Sequence, residues 1–443
     1  MHITRKFLPV GHGAFSLESF CLDNKLINVV FDCGSSKKKS INKNLEEAVP
    51  ELEIGKTAVF ISHLHYDHIS GLPVLLKKYN VKYLFLPVIT PNDFFYGIVD
   101  ILMQNEADSV AVFADLFQCA LDTSQTALTG EFENTKIIHV GKDNGENESN
   151  RKEHEPNDND SQHKSNKLEI HDIFSDSRDE IENQLNKKGL IGVPKVQWIF
   201  KPFNYLNQDQ CNDFIEKLIQ VCNDDTNDCI GSLKEKSMKL LDLEDKEFLS
   251  SLKNWSEFVK DNWNSVKEKI IKAYKNAYGD KKLNETSMIV YSGPAGETTT
   301  EICCILPGCF NNRSWFCIHK CWRKCLCFNH GCMECNMIDL YKKPGCVYFG
   351  DYEANDKNRW KAFTTFYGKL WQSHTGIVHV PHHGAYHNFN EKINSEPKIN
   401  VISAGYHDRY GHPSFHTIRE IVLKDGVVII VTERDCIIEF IIH

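Results

Sequence analysis

The stretch Ile61–Pro73, ISHLHYDHISGLP, sets His63, His65, Asp67 and His68 within six positions. Imidazole and carboxylate are donors that zinc, manganese and iron accept, and four of them exceed the needs of one open metal site. A strand turns residues i and i+2 to one face, but no regular element gathers i, i+2, i+4 and i+5 around one point. A loop at a strand end does so. The economical arrangement is two ions sharing the loop, His63 and His65 on one, Asp67 and His68 on the other. A lone histidine beside a strand is usually an ordinary core or surface residue, and four in this spacing are a different case. Two such cations serve hydrolysis, by water attacking phosphorus or an acyl carbon, and the motif alone does not choose between them.

The elements that must position the loop are legible around it. The apolar run TAVFIS reads as a buried strand feeding the loop, ISGLPVLLKKYN as helical, and VKYLFLPV as the next strand. Before them, AFSLESFCL and KLINVVFDCG read as two strands joined through a turn at Asp23-Asn24. This succession predicts an α/β layered fold with functional residues at strand ends. Further on, KVQWIFKPF, SMIVYSG, GCVYFGD, TGIVHVPHHG, INVISAG and GVVIIVTE read as strands, and residues 207–280 carry helical periodicity.

Composition bounds the rest. The chain has 443 residues, 41% of them hydrophobic, with a formal net charge of −9, so a proper core is expected and a surface coated throughout by nucleic acid is not. No run of about 18 apolar residues occurs, which predicts no membrane span. The N-terminus offers no apolar stretch of signal-peptide length, and seventeen cysteines without an export signal point to reduced thiols or metal ligands in the cytoplasm.

The metal loop resembles the signature of the metallo-β-lactamase fold. VVFDCGSS, VYFGD and VPHHGAYHN resemble three further segments of that family, and VGHGAFSLE, NETSMIVYSG and VISAGYHDRYGHPS are similar to the ComEC/Rec2 competence-type lactamase domain. That subgroup typically carries Gln and Asp where this chain has His12 and Ala14. The resemblance implies a four-layer αββα fold over a single domain, residues 1–443, with insertions at 143–170 (a polar loop), 207–280 (helical) and 300–340 (cysteine-rich). It also implies two divalent ions, zinc or manganese, a bridging carboxylate at Asp351, and support of the metal loop by Asp32 from behind the ligands.

Asp351 follows an apolar strand, so its carboxylate can face the strand-end site and neutralise two cations. His382 and His383 are neighbours whose side chains must diverge. We read His383 as a metal ligand and His382 as facing the substrate, with His412 in YGHPS a second candidate for substrate contact or proton delivery. Many two-metal relatives carry another histidine between the loop and the Gly-Asp strand, and here His139 and His171 are the ones available. In the insertion, Cys317, Cys321, Cys325, Cys327, Cys332 and Cys335 could hold structural zinc, and Lys320, Arg323 and Lys324 around Trp322 suit phosphate and base contact. The expectation is a metal-dependent hydrolase, foremost a phosphodiesterase or nuclease on DNA or RNA, in which Asp67 orients the attacking water and His382 or His412 assists the leaving group. The alternatives are a hydrolase of a small ester or phosphodiester (phosphocholine-type, cyclic nucleotide or thioester) and an effector whose insertions bind a regulatory protein partner.

Overall fold

The computed structural model describes residues 2–442 except 48, 105–109, 129, 142–169, 176, 206–212, 224, 226, 242–244, 279–286, 297–301, 306–342, 409 and 436. The polar loop expected at 143–170 therefore lies almost wholly outside the described residues. So do Cys317, Cys321, Cys325, Cys327, Cys332 and Cys335 of the cysteine-rich insertion, with Lys320, Arg323 and Lys324.

Alternation along the strands builds two sheets and three apolar layers. The first sheet holds β1 (His2–Phe7), β2 (Phe15–Leu22), β3 (Lys25–Cys33), β4 (Lys56–Phe60), β5 (Val81–Pro87), β6 (Lys136–Val140), β10 (Ile302–Ile305) and β15 (Ile438–Ile442), in the order β10-β15-β1-β2-β3-β4-β5-β6. The second holds β7 (Ile191–Val193), β8 (Trp198–Phe203), β9 (Ile289–Pro294), β11 (Gly345–Tyr348), β12 (Thr375–His379), β13 (Ile399–Ser403) and β14 (Val427–Val431), in the order β14-β13-β12-β11-β9-β8-β7. In the first sheet β3, β4, β5 and β6 run parallel, and in the second β11, β12, β13 and β14 do. Parallel strands end together, so β3 and β4, and likewise β11 and β12, deliver their following loops to the same edge.

Residues two apart share a face, and each strand divides its apolar residues between two cores. Val29, Phe31, Ala58, Phe60, Tyr83 and Phe85 meet Trp198, Phe200, Tyr348, Ile377 and Val401 between the sheets. The Phe31 and Tyr348 rings stack across that seam with centroids 3.8 Å apart. Val30, Val59 and Leu84 face the other way, toward helices. These outer helices include α1 (Lys38–Glu47), α2 (Glu51–Ile54), the short α3 (Tyr66–Ile69), α4 (Leu72–Lys78), α5 (Pro91–Met103) and α6 (Val110–Leu121). On the far side of the second sheet, Val347, Val378 and Ile402 pack with Phe363 and Ile421. Those two residues come from α12 (Lys357–Tyr367) and α13 (Phe415–Leu423), which are numbered after α7 (Arg178–Lys188) and the four helices of the expected insertion. The layers are helix, sheet, sheet, helix.

The helical insertion forms α8 (Asp213–Cys222), α9 (Asp228–Leu241), α10 (Asp245–Asp261) and α11 (Trp263–Tyr278). It is no separate body. Phe95 of α5 packs against Phe214 and Trp255 with ring centroids 5.3 and 5.2 Å apart, joining the insertion to the outer core of the first sheet. Thr90 starts α5 with a capping box shared with Asp93.

The pair β1 and β15 was not legible as strands, because β1 carries Arg5 and Lys6 in its middle. Both are buried in the fold. Arg5 Nε donates to Glu18 Oε1 at 2.7 Å and its Nη1 to the Pro344 carbonyl at 2.8 Å. Glu18 also accepts from Tyr348 Oη at 2.9 Å and Ser292 Oγ at 2.6 Å, so an ion pair satisfied on every side joins the two sheets. Arg5→Met should destabilise the protein by roughly 3–5 kcal/mol, because it leaves Glu18 buried without its counter-charge. The double change Arg5→Met with Glu18→Leu should recover much of that loss, read as the urea midpoint of unfolding.

Candidate metal centre

Asp32 ends β3 in the left-handed region, φ 54°, which Asp tolerates better than most residues. There its carboxylate turns to the loop after β4. Oδ1 accepts the Ser62 N–H at 2.7 Å, and Oδ2 accepts Ser62 Oγ at 2.7 Å and His68 Nδ1 at 2.9 Å. Because Ser62 gives its proton to Asp32, its oxygen accepts from His63 Nδ1 at 3.0 Å. His383 likewise donates from Nδ1 to the Ser403 carbonyl at 2.9 Å. Three imidazoles are thus held as Nδ1–H tautomers, and each presents the lone pair of Nε2.

Those lone pairs point at carboxylates. His63 Nε2 lies 3.5 Å from Asp351 Oδ2, and His68 Nε2 lies 3.3 Å from Asp351 Oδ1. His383 Nε2 lies 3.1 Å from Asp67 Oδ2 and 4.0 Å from Asp351 Oδ1. Two clusters result, His63 with His68 and Asp351, and His12 with Asp67 and His383, with the ligand atoms of each within 4.8 Å of one another. Asp351 touches both groups of histidines. It is placed by Gly350, whose φ of +53° sets it close against Ser62, where an added Cβ would fall 2.5 Å from the Ser62 Cβ. His382 and His383 are themselves left-handed, φ 48° and 52°, in the turn Pro381–Gly384, and the His382 N–H anchors that turn to the Gly350 carbonyl at 2.9 Å. Backbone strain at two consecutive histidines belongs to a functional site.

The electrostatics point the same way. Burial alone would raise the Asp351 and Asp67 carboxyls, but the surrounding histidines outweigh it and hold both well below the usual range. Burial opposes a charged His68, yet Asp67, Asp32 and Asp351 together push it well above the ordinary imidazole value. His383 is raised against its burial by Asp67 and Asp351. Each of these Nε2 atoms and the carboxylate oxygen it faces are held together by a positive charge between them, a proton or a metal cation. The Nε2 atoms of His63 and His68 are buried and make no hydrogen bond. Ligands around a tetrahedral zinc stand about 3.4 Å apart, close to the nitrogen-to-oxygen spacings of both clusters. The residues present fit divalent cations.

The grouping differs from the division expected from spacing. The single turn of α3 brings His68 round to His63, and Asp67 points away toward His383. His65 joins neither cluster, its ring lying 4.4 Å from the His63 ring and 4.4 Å from the Tyr96 ring, and burial, helped by His63, keeps it well below the usual imidazole value. Asp32 supports His68 and, through Ser62, His63. His382 Nδ1 lies 3.3 Å from Asp351 Oδ2, and the His412 ring lies 5.7 Å from the His382 ring. The two histidines available as an extra ligand do not join. His139 Nε2 donates to the Cys119 carbonyl at 2.7 Å, and His171 lies 3.3 Å from Glu180. The residue that reading by motif missed is His12. Its signal was the glycine on either side, which frees a short loop to carry one side chain inward.

The family model described as the metallo-beta-lactamase superfamily matches residues 22–92, which span Asp32 and the whole metal loop. No curated protein matches the sequence significantly. The αββα layering, the loop at the ends of parallel strands and this match together define a metallo-β-lactamase fold. That superfamily consists mostly of metal-dependent hydrolases, and each of the two clusters could hold a metal ion. Among the described residues, no helix is long and apolar enough to cross a membrane.

Proposed function

We infer that the protein is a metal-dependent phosphodiesterase acting on DNA or RNA. The observation that carries this reading is the rim of the centre. Among the described residues, the exposed large aromatic side chains are Tyr386, Tyr406, Tyr410 and Phe415. All four flank the histidine turn or the loop ending in His412. The Tyr410 ring lies 5.3 Å from His12, and the Tyr386 ring 4.2 Å from His416. Ser414 N–H donates to the Gly384 carbonyl at 3.0 Å, which makes one continuous edge of the two segments. Exposed aromatic rings beside a metal centre suit stacking of bases, worth about 1–3 kcal/mol each. Similarity to the competence-type domain in VPHHG and YGHPS supports the same substrate class.

When bound, two divalent ions, zinc or manganese, would supply Lewis acidity toward the phosphate. His63, His68 and Asp351 would hold one, and Asp67 with His383 the other. Asp67 would also orient the attacking water, and His382 or His412 would hand a proton to the leaving oxygen. A reducing cytoplasm suits the buried free thiols of Cys33, Cys119 and Cys346.

The test compares a single-stranded oligonucleotide with a small chromogenic phosphodiester, using the double variant Tyr386→Ala with Phe415→Ala. Polymer kcat/KM should fall at least tenfold further than that of the small substrate. Equal losses on both, or cleavage of small esters alone, would overturn the nucleic-acid reading.

A further inference from the structure

We propose that His12 is a ligand of the second metal ion, completing its shell with Asp67 and His383, and that Asp408 is its positioning residue. The proposal rests on the metallohydrolase reading and assigns a role to a side chain from the N-terminal loop, remote in sequence from every other ligand.

The backbone locks His12 against Asp67. Ala14 N–H donates to the Asp67 carbonyl at 3.3 Å, Gly34 N–H to the Ala14 carbonyl at 2.9 Å, and Ser36 N–H to the His12 carbonyl at 2.8 Å. Gly13, at φ +144°, lies so close that a Cβ there would fall 2.5 Å from the Asp67 carbonyl oxygen. The loop therefore has one register relative to the metal loop. His12 Nε2 lies 3.5 Å from Asp67 Oδ2, against 3.1 Å for His383 Nε2 from the same oxygen. The two imidazole rings are 4.2 Å apart and tilted by 40°, converging on the oxygen without stacking flat.

The other ring nitrogen, His12 Nδ1, is buried and makes no hydrogen bond, and the carboxylate facing it is Asp408, with Oδ1 at 3.5 Å. Asp408 is itself held, by the Tyr410 N–H at 3.0 Å and the His412 N–H at 2.8 Å. A carboxylate behind one imidazole nitrogen with a metal before the other is the arrangement that fixes the tautomer and strengthens the donor. In His383 the corresponding nitrogen is tied more closely, Nδ1 donating to the Ser403 carbonyl at 2.9 Å. With neither His139 nor His171 in reach, His12 is the histidine that raises this cluster to three donors.

Manganese(II) is the probe, because it takes nitrogen and oxygen ligands and leaves thiolates of the cysteine-rich stretch uncounted. Chelator-stripped protein is titrated and free manganese is read by electron paramagnetic resonance, with no substrate present. Wild type should bind two ions. His12→Ala should weaken one of them at least tenfold and leave the other unchanged, and Asp408→Asn should weaken the same ion to a smaller degree. His12→Phe, which keeps the ring and offers no lone pair, should behave as the alanine variant does and guards against misfolding. Two ions at wild-type affinity in both His12 variants would overturn the proposal, as would equal weakening of both ions or a single wild-type ion indifferent to His12. Selective loss of one ion in a protein that cleaves no phosphodiester would sustain the ligand and refute only the substrate.

Discussion

Asp351→Asn should lower turnover on the order of a thousandfold or more, on polymer and small phosphodiester alike. Asp351 stands among four histidines, with His63, His68 and His382 at 3.5, 3.3 and 3.3 Å and His383 at 4.0 Å. An amide keeps the shape but gives up the negative charge between two cation positions, so bound metal should fall with activity. Asp32→Asn should be milder, about 10–100-fold. Asp32 is buried, three donors converge on its carboxylate, and an amide nitrogen there would face Ser62 or His68 donor to donor. Steady-state kinetics beside metal analysis decides the matter. Equal losses would mean that Asp32 does more than orient the ligands.

The second large effect separates two histidines that spacing treats alike. His63→Ala should abolish measurable hydrolysis and release the ion shared with His68 and Asp351, with the fold retained because a strand-end loop carries the site. His65→Ala should cost less, about 10–100-fold, since its ring lies against both His63 and Tyr96 without joining either cluster. Metal content and thermal unfolding of the two single variants read this directly. Equal loss of metal in both would restore the division in which His63 and His65 share one ion.

The Tyr96 contact also links the centre to the helical insertion. Tyr96 lies on α5, and its ring is 5.5 Å from that of Tyr274 on α11.

Much of this molecule is determined by the sequence alone. Short, near-continuous apolar runs such as KLINVVFDC and TGIVH specify strands with two buried faces, and the polar loops between them can only sit at strand ends. Spacing of unlike donors at i, i+2, i+4 and i+5 specifies a metal loop, because no helix or strand face uses it. Asp32, Asp351, His382 and His383 were legible for the same local reason, each closing an apolar strand.

What only the tertiary structure decided is which groups meet. The turn at α3 sends His68 to His63 and Asp67 to His383, a matter of a few backbone dihedrals that spacing cannot express. His12 enters through contacts between residues 11–14 and the backbone of Asp67 and Gly34, far apart in the chain and joined by close approach at glycine. Strand β1 was hidden because Arg5 reads as a surface residue until Glu18 is seen beside it. Local pattern records what each residue can do, whereas pairing across long sequence separations depends on packing, and packing chose the partners here.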